Sequence, residues 1–269
     1  MLTDITLGQF FPGESLIHKL DARIKILLTF VYMLITFICS NYFSLTITLC
    51  SVLFVIFLSK IPIKMYLKSM KMILFIILFT AIINFFSGNG EPIFQWGIFK
   101  ITVDGINNSI FVSLRLTIIV LTSSILTFVT SPTDMADAIE HLMKPLSAFK
   151  INVHDIAMMM TIALRFVPTL LEEADKTMSA QKARGSDLES KNITKKAKAL
   201  IPIFVPLFVS AFRRAYDLAT AMECRCYKGG EGRTRMKILK IVPLDVFAVL
   251  FTLAIGIMVI ISNTFYWRW

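Results

Sequence analysis

Residues 156–185 read IAMMMTIALRFVPTLLEEADKTMSAQKARG, a run that is apolar in its first half and charged in its second. The apolar part, 156–171, passes into Glu172-Glu173 without a break, and helical spacing continues to Gly185. At about 16 residues this part is shorter than the ~20 that cross a bilayer, yet long for a helix in water. The pattern predicts a helix that runs along the membrane interface and ends at Gly185.

A second segment of the same kind extends from about residue 195 to residue 226. The tripeptide Phe-Val-Pro occurs in both segments, at 166–168 and at 204–206. Each segment ends on an arginine, Arg184 in the first and Arg225 in the second. We interpret the pair as a weak internal duplication that gives two similar helix ends. Chance similarity between two apolar helices is the alternative.

The composition of the chain indicates a membrane protein. Of its 269 residues 56% are hydrophobic, with 23 Phe and 14 Met, and the mean hydropathy is +0.71. Soluble domains contain roughly 45–50% apolar residues. Five segments approach the ~20 residues that span the hydrocarbon as a helix. They are 24–40, 43–59, 72–86 (lengthened by its flank from Tyr66), 109–130 and 242–262.

The basic residues predict the orientation of these segments. Of the 28 lysines and arginines, three lie near the N-terminus, four surround the turn after the second segment, and 18 lie between residues 131 and 240. Lys100, Arg115 and Arg268 remain for the other side. Because basic residues concentrate in cytoplasmic loops, we expect a cytoplasmic N-terminus and an external C-terminus.

The predicted fold class is therefore an all-α integral membrane protein. We expect an N-terminal membrane domain of four transmembrane helices, residues 1–130, and a C-terminal transmembrane helix, residues 241–269. Residues 131–240 are expected to form about three membrane-proximal cytoplasmic helices. The first of these begins after Ser131, whose hydroxyl can cap a helix, and ends by Pro145.

Arg115 lies inside the fourth predicted span. An ionisable group in a span is a functional hypothesis in its own right. We favour the alternative, in which the long side chain snorkels to the outer end of its helix, towards Asp104 or Glu91.

Other classes of function find little support in the residues. The basic stretches are not interleaved with aromatic residues as on a nucleic-acid surface. Cys39, Cys50, Cys224 and Cys226 fit neither a disulfide framework nor a four-ligand zinc site. The glycine-rich stretch 229–233 is too short for a phosphate-binding loop and lacks its lysine. We expect no nucleic acid partner, no metal site and no catalytic residue.

The arginines at the two segment ends have two interpretations. A cation at a helix C-terminus complements the macrodipole by ~0.3–1 kcal/mol, which alone would explain them. Alternatively, small neighbours let a partner approach closely while the guanidinium offers a rigid fork for carboxylates or carbonyls. The candidate docking residues are then Ala183, Arg184, Gly185, Cys224, Arg225 and Cys226.

Several motifs follow one another along nearly the whole chain. They are Gly8-Gln9-Phe10, Pro12-Gly13-Glu14-Ser15, His18, Leu20-Asp21, Arg23, Lys25, Arg115-Leu116, Ser131-Pro132-Thr133-Asp134, Arg165-Phe166-Val167-Pro168 and Ala183-Arg184-Gly185.

In this order the motifs resemble the transmembrane T component of energy-coupling factor (ECF) transporters, a family that includes the cobalt and nickel T subunits. Two departures stand out. The second Ala-Arg-Gly motif of the family is replaced by Cys224-Arg225-Cys226, which keeps the arginine and the small flanks. Ala22 stands where the family has a proline after the aspartate.

The resemblance implies that the two cytoplasmic segments are coupling helices of an importer in a prokaryotic cell membrane. Their arginine-bearing ends would dock on two related ATP-binding-cassette (ABC) ATPases, which bind the ATP and Mg²⁺. This chain would need no cofactor and catalyse no reaction. Its apolar coupling-helix faces would hold an S component, the membrane-embedded subunit that captures a vitamin or other micronutrient, and membrane lipid would surround the spans.

The expected S-component contact is rich in methionine, whose flexible thioether adapts to partners of different shape. Packing between the two helices, or against lipid, is the alternative. The contact residues are Met158, Met159, Met160, Phe204 and Phe208.

Two rival functions belong to other classes. Paired glutamates such as Glu172-Glu173 occur in intramembrane CAAX-type proteases, but Thr177 stands where those enzymes have an arginine. A solvated helix face explains the pair equally well. A stand-alone carrier would need polar residues along its spans, and these spans are almost purely apolar.

Overall fold

The computed structural model describes residues 10–86, 92–96, 99–149, 152–186, 192–229 and 241–266. These residues form eight α-helices, one 3-10 helix and one two-stranded hairpin. In chain order the elements are α1 (Ala22–Ile38), α2 (Tyr42–Ser59), α3 (Ile63–Phe86), β1 (Pro92–Trp96), β2 (Phe99–Thr102), α4 (Val103–Val129), α5 (Pro132–Met143), the 3-10 helix (Lys144–Phe149), α6 (Val153–Ala183), α7 (Ile193–Cys224) and α8 (Pro243–Tyr266).

The all-α prediction is confirmed, with one small addition. Strands β1 and β2 pair antiparallel, with Gln95 opposite Lys100 and Trp96 opposite Phe99. The chain enters α4 directly after β2, and the Thr102 hydroxyl accepts a hydrogen bond from the Gly105 amide at 3.1 Å as the helix cap. The sequence analysis did not predict this hairpin. Glu91 and the motif residues Gly8 and Gln9 lie outside the described residues.

The chain divides into two compact units, and the division falls inside α5. The five-helix unit contains α1–α4 and α8, and the two-helix unit contains α6 and α7. Ser131 caps α5 as expected, since its hydroxyl accepts from the Asp134 amide at 3.1 Å.

The five predicted spans correspond to the five helices of the five-helix unit. By length and composition, α2, α4 and α8 can each cross a membrane. With 17 residues, α1 is about 25 Å long at 1.5 Å per residue. The α3 helix consists of two segments, Ile63–Lys71 and Ile73–Phe86, with a bend of 54° between them. Taken together, the two segments are long and apolar enough to cross a membrane. Because α6 and α7 also qualify, five helices of the described chain can span, or six with the bent pair. The protein is therefore a multi-pass membrane protein.

A buried tyrosine links α1 to α2 in the five-helix unit. The Tyr32 hydroxyl of α1 donates to the Thr48 carbonyl of α2 at 2.7 Å and also contacts the Ser51 hydroxyl. Thr36 and Thr48 are fully buried, and each hydroxyl donates to a carbonyl of its own helix. Both α1 and α2 pack against α4 and α8. Hydrogen bonds between helices help them associate where lipid removes the hydrophobic driving force.

Buried polar groups join the start of α1, the end of α4 and the start of α8. The fully buried Asp245 carboxylate accepts from the Asp21 amide at 2.9 Å and from the Val242 amide at 2.7 Å. The Lys25 ammonium donates to the carbonyls of His18, at 3.0 Å, and Val129, at 3.4 Å. The N-terminal motif therefore ties three helix ends together at one face of the five-helix unit.

The other ends of these helices meet at the opposite face. The Asn263 amide near the end of α8 donates to the Ile38 carbonyl at the end of α1, at 2.8 Å. The Tyr42 hydroxyl at the start of α2 donates to the Asn107 carbonyl near the start of α4, at 2.8 Å. Thus α1 runs parallel to α8 and antiparallel to α4, as the five-span arrangement requires.

Arg115 reaches this second face. Its guanidinium donates to the carbonyl of Cys39, just past the end of α1, at 2.6 Å, and lies 4.8 Å from the centre of the Phe111 ring. The carbonyls at a helix C-terminus carry partial negative charge, so the contact stabilises the end of α1. The side chain reaches the face at which α4 starts, as the favoured interpretation expected, and its hydrogen bond is made to a backbone carbonyl and not to Asp104.

Replacing Asp245 with alanine should destabilise the five-helix unit by about 2–4 kcal/mol. The buried Asp21 amide and the partly buried Val242 amide would lose their acceptor, and an unsatisfied buried donor costs about 1–3 kcal/mol. The measurement is the thermal unfolding midpoint of the purified chain in detergent. Asp104, an exposed acid in the first turn of α4, provides the matched control. Equal midpoints for Asp245→Ala and Asp104→Ala would contradict the assigned role.

Candidate docking site

The two-helix unit is an antiparallel pair. At one end the Tyr227 hydroxyl, just past α7, contacts the Met158 sulfur near the start of α6 at 2.9 Å. Farther along, residues of both helices line an open groove of about 340 Å³. The lining residues are Ile162, Phe166 and Leu170 on α6, and Ala211, Arg214, Ala215, Leu218, Ala219 and Met222 on α7.

A charged contact joins the same two helices. Glu173 on α6 accepts a hydrogen bond from the Ser210 hydroxyl at 2.5 Å through Oε1 and another from the Arg214 guanidinium at 2.8 Å through Oε2. Ser210 and Arg214 lie four residues apart on α7 and therefore share one face of that helix. We call this contact the Glu173 clamp.

The first predicted docking end is closed by backbone hydrogen bonds alone. Helix α6 ends at Ala183, and Arg184 is its C-cap. The Gly185 amide donates to the Lys182 carbonyl and the Ser186 amide to the Gln181 carbonyl, both at 3.0 Å. Gly185 has a φ of +85°, so the prediction that the helix stops there is confirmed. This is the Schellman pattern, in which the left-handed residue after the cap is usually glycine.

The second docking end repeats the two Schellman hydrogen bonds at corresponding residues. Arg225 is the C-cap of α7, the Cys226 amide donates to the Glu223 carbonyl at 2.9 Å, and the Tyr227 amide donates to the Met222 carbonyl at 3.0 Å. Here the left-handed position is held by Cys226, with a φ of +54°. A side chain at this conformation costs roughly 1–2 kcal/mol relative to glycine.

Both arginines are exposed on equivalent helix ends. The predicted flanking residues Ala183, Gly185, Cys224 and Cys226 are exposed as well. Among the residues that the structure describes, neither guanidinium has an ion-pair partner. Each end therefore presents a planar cation with small neighbours, a form suited to carboxylates or carbonyls on another chain.

The predicted S-component residues are mostly exposed too. Met159 is 62% and Met160 38% exposed, while Phe204 and Phe208 are 69% and 56% exposed. Met158 differs, because it is half-buried against Tyr227. On α7 the rings of Phe204 and Phe208 stack along an apolar face, together with Leu200, Ile201, Val205, Val209 and Phe212.

Sequence reasoning missed three residues of the two-helix unit. Ser210 and Arg214 complete the Glu173 clamp, and Tyr227 contacts Met158. Pairing between residues about 40 or 70 positions apart leaves no local signal. The four cysteines are free, Cys39 buried and Cys50, Cys224 and Cys226 exposed.

The fold and the two-helix unit define a multi-pass α-helical membrane protein that presents two matched, cationic helix ends. Residues 13–238 match the family model described as cobalt transport protein. The chain is 52% identical over 247 residues to the energy-coupling factor transporter transmembrane protein EcfT of Ruminiclostridium cellulolyticum, which covers 91% of this chain and 92% of that protein. The EcfT proteins of Clostridium kluyveri, 46% identical with 98% of both chains covered, and Bacillus subtilis, 42% identical with 89% and 91% covered, are also similar.

The chain therefore belongs to the family of energy-coupling factor transporter transmembrane proteins. The resemblance inferred from the sequence motifs is confirmed. It holds over almost the full length of the chain and of these relatives, so it covers both units.

Replacing Cys226 with glycine should stabilise the end of α7, and replacing Gly185 with alanine should weaken the end of α6, each by about 1 kcal/mol. Space does not enter the second change, since no atom lies within 4 Å of an added Cβ at Gly185. Amide hydrogen exchange of the last turn is the measurement: slower for Cys226→Gly, faster for Gly185→Ala. Unchanged exchange in both variants would contradict the strain assignment.

Proposed function

We propose that this chain is the energy-coupling membrane subunit of an ECF-type importer and that Arg184 and Arg225 dock on two related ABC ATPases. The observation that carries the proposal is the equivalence of the two helix ends. Each places an exposed arginine at the C-cap of a Schellman closure. Two matched projections on one antiparallel pair fit two matched sites on a pair of related subunits.

The backbone closure itself favours docking over capping. The Schellman amides already satisfy two carbonyls in the last turn of each helix, those of Gln181 and Lys182 in α6 and those of Met222 and Glu223 in α7. The guanidinium groups are therefore not needed to pair with those carbonyls, and five N–H donors per arginine stay available for a partner. The residual dipole contribution, about 0.3–1 kcal/mol, is compatible with either role.

The proposed subunit is non-catalytic, and the ATPases bind ATP and Mg²⁺. The paired glutamates that suggested a protease have different surroundings. Glu172 is exposed, whereas Glu173 accepts hydrogen bonds from Ser210 and Arg214. Relatives named as transporter transmembrane proteins support the same assignment.

Replacing Arg184 or Arg225 with alanine should release ATPases from the complex. Loss of one member of a charged pair that a partner buries typically costs ~2–5 kcal/mol. Lysine should rescue only in part, because it keeps the charge and loses the planar fork. The double variant should lose almost all ATPase, since two docking points on one body reinforce each other.

Co-purification of the ATPases with each variant, together with micronutrient uptake in cells, measures this effect. Arg213 offers a matched control, because it is an exposed arginine of α7 that lies far from the helix end. Normal complex and uptake in the double variant would reduce the two arginines to dipole-complementing caps.

We also propose that the N-terminus is cytoplasmic and that α6 and α7 run along the inner membrane interface. The distribution of 25 of the 28 basic residues supports this orientation. The five-helix unit is compatible with it, since α8 runs parallel to α1 and an odd number of spans separates the two termini.

A membrane-impermeant maleimide tests the orientation on the exposed Cys224. In a chain whose other cysteines are replaced by alanine, and which is produced without the ATPases that would cover this end, Cys224 should react only after the cells are opened. A cysteine at exposed Thr264, near the end of α8, should react in intact cells and is the control. Labelling of Cys224 from outside would overturn the topology.

The apolar face of α7 and the exposed methionines of α6 are proposed to contact the S component. The α7 face is apolar and exposed, and the exposed methionines of α6 have flexible side chains that adapt to partners of different shape. A photo-crosslinker at Met159, which is 62% exposed, should capture the S component, whereas one at half-buried Met158 should capture it less. Crosslinks from Met159 to lipid or to α7 alone would favour internal packing or lipid contact.

A further inference from the structure

The apolar part of the α6–α7 contact includes a groove of about 340 Å³, which is open to the surroundings at the exposed Ala215 and Ala219. Leu218 and Met222 of α7 line it together with the alanines. Apolar contacts of this kind are non-directional. A directional contact between the two helices therefore adds a constraint on their crossing that apolar contacts do not supply.

The Glu173 clamp supplies such a contact. Both carboxylate oxygens of Glu173 are engaged, at 2.5 Å by Ser210 and at 2.8 Å by Arg214. Two bonds to donors four residues apart fix the rotation of α7 as well as its distance. In the proposed interfacial position of α6, the Ser210 hydrogen bond outweighs desolvation and, with Arg214, holds the pKa of Glu173 below its usual value. The carboxylate is then ionised at neutral pH.

The clamp is equally far from both docking ends. Glu173 precedes Arg184 by 11 residues, and Arg214 precedes Arg225 by 11 residues. Eleven residues are about three turns, or roughly 16 Å of helix, and return to nearly the same helix face. Because α6 and α7 are antiparallel, the two arms extend in opposite directions from the clamp.

We propose that the Glu173 clamp is a positioning site: it fixes the crossing of α6 and α7, and with it the separation of the two docking ends. The proposal rests on the docking function assigned to Arg184 and Arg225. A displacement of one end by its ATPase is transmitted to the other through the clamp, since the two arms are rigid helices joined at that point. Two pairs of like charges lie at this position, Glu172-Glu173 on α6 and Arg213-Arg214 on α7. Only the second member of each pair belongs to the Glu173 clamp.

The unused member of each pair is a built-in control. Glu172 and Arg213 are exposed, carry the same charges as their neighbours and lie one residue from the clamp. Their alanine variants change net charge and helix propensity as the clamp variants do. The compared variants are Glu173→Ala and Arg214→Ala against Glu172→Ala and Arg213→Ala.

The first experiment measures geometry in the full chain without ATPases. Spin labels replace exposed Ser179 and Thr220, which lie equally far before the two docking arginines, in a cysteine-free chain in lipid nanodiscs. The distance between the two labels should have one narrow distribution in the unaltered chain and in both control variants. In the clamp variants this distribution should be about twice as wide. The charge-reversed double variant Glu173→Arg with Arg214→Glu should recover part of the narrow distribution. Equal widths in clamp and control variants would overturn the proposal.

The second experiment measures coupling in cells. Glu173→Ala should lower micronutrient uptake about fivefold, as expected for a charge-assisted contact that is partly exposed, while Glu172→Ala leaves it unchanged. A wider distribution with normal uptake would overturn the positioning role. If the unaltered chain retains no ATPase, the docking function fails, and the nanodisc distances still decide whether the clamp sets the crossing.

Discussion

Backbone groups at helix ends must find partners where water is scarce, and this constraint organises both units. In the five-helix unit distant side chains supply the partners: Asp245 accepts from the amides that lead into α1 and α8, and Arg115 donates to the carbonyl of Cys39, just past the end of α1. In the two-helix unit the chain closes its own ends through Schellman hydrogen bonds. Asp245 and Arg115 are therefore engaged in hydrogen bonds to backbone groups at helix ends. Arg184 and Arg225 are not needed for such bonds and stay exposed. This difference separates the structural charges from the proposed functional ones.

In the two-helix unit the clamp residues and the docking arginines are separated by the same number of positions along the chain. Glu173 and Arg214 differ by 41 positions, as do Arg184 and Arg225, whereas the Phe-Val-Pro tripeptides differ by 38. A shift of three residues is close to one helical turn, so the faces remain aligned although the spacing changes. The two arms after the clamp are thus of equal length, and an antiparallel pair of such arms is a symmetric bridge. A complex with two related ATPases calls for a bridge of this kind.

The sequence predicted what local pattern encodes. The apolar lengths predicted the helices of the five-helix unit, and Gly185 predicted the end of α6, because glycine is the residue that tolerates a left-handed backbone. The sequence did not reveal that Cys226 adopts the same left-handed conformation, because cysteine has no preference for it. The partners of Asp245, Glu173 and Arg115 were missed for another reason: they lie far away in sequence, and only the packed helices bring them together. The sequence did not predict hairpin β1–β2, because its strands have only five and four residues.

The central claim is that one antiparallel pair presents two equivalent ends to two different ATPase subunits. Photo-crosslinkers placed at Ala183 and at Cys224, beside the two arginines, test it most directly in the intact membrane complex. The account predicts that each position captures one ATPase chain, that the two captured chains differ, and that the crosslinked residues occupy corresponding positions in them. Capture of a single ATPase chain from both positions, or of lipid alone, would contradict it.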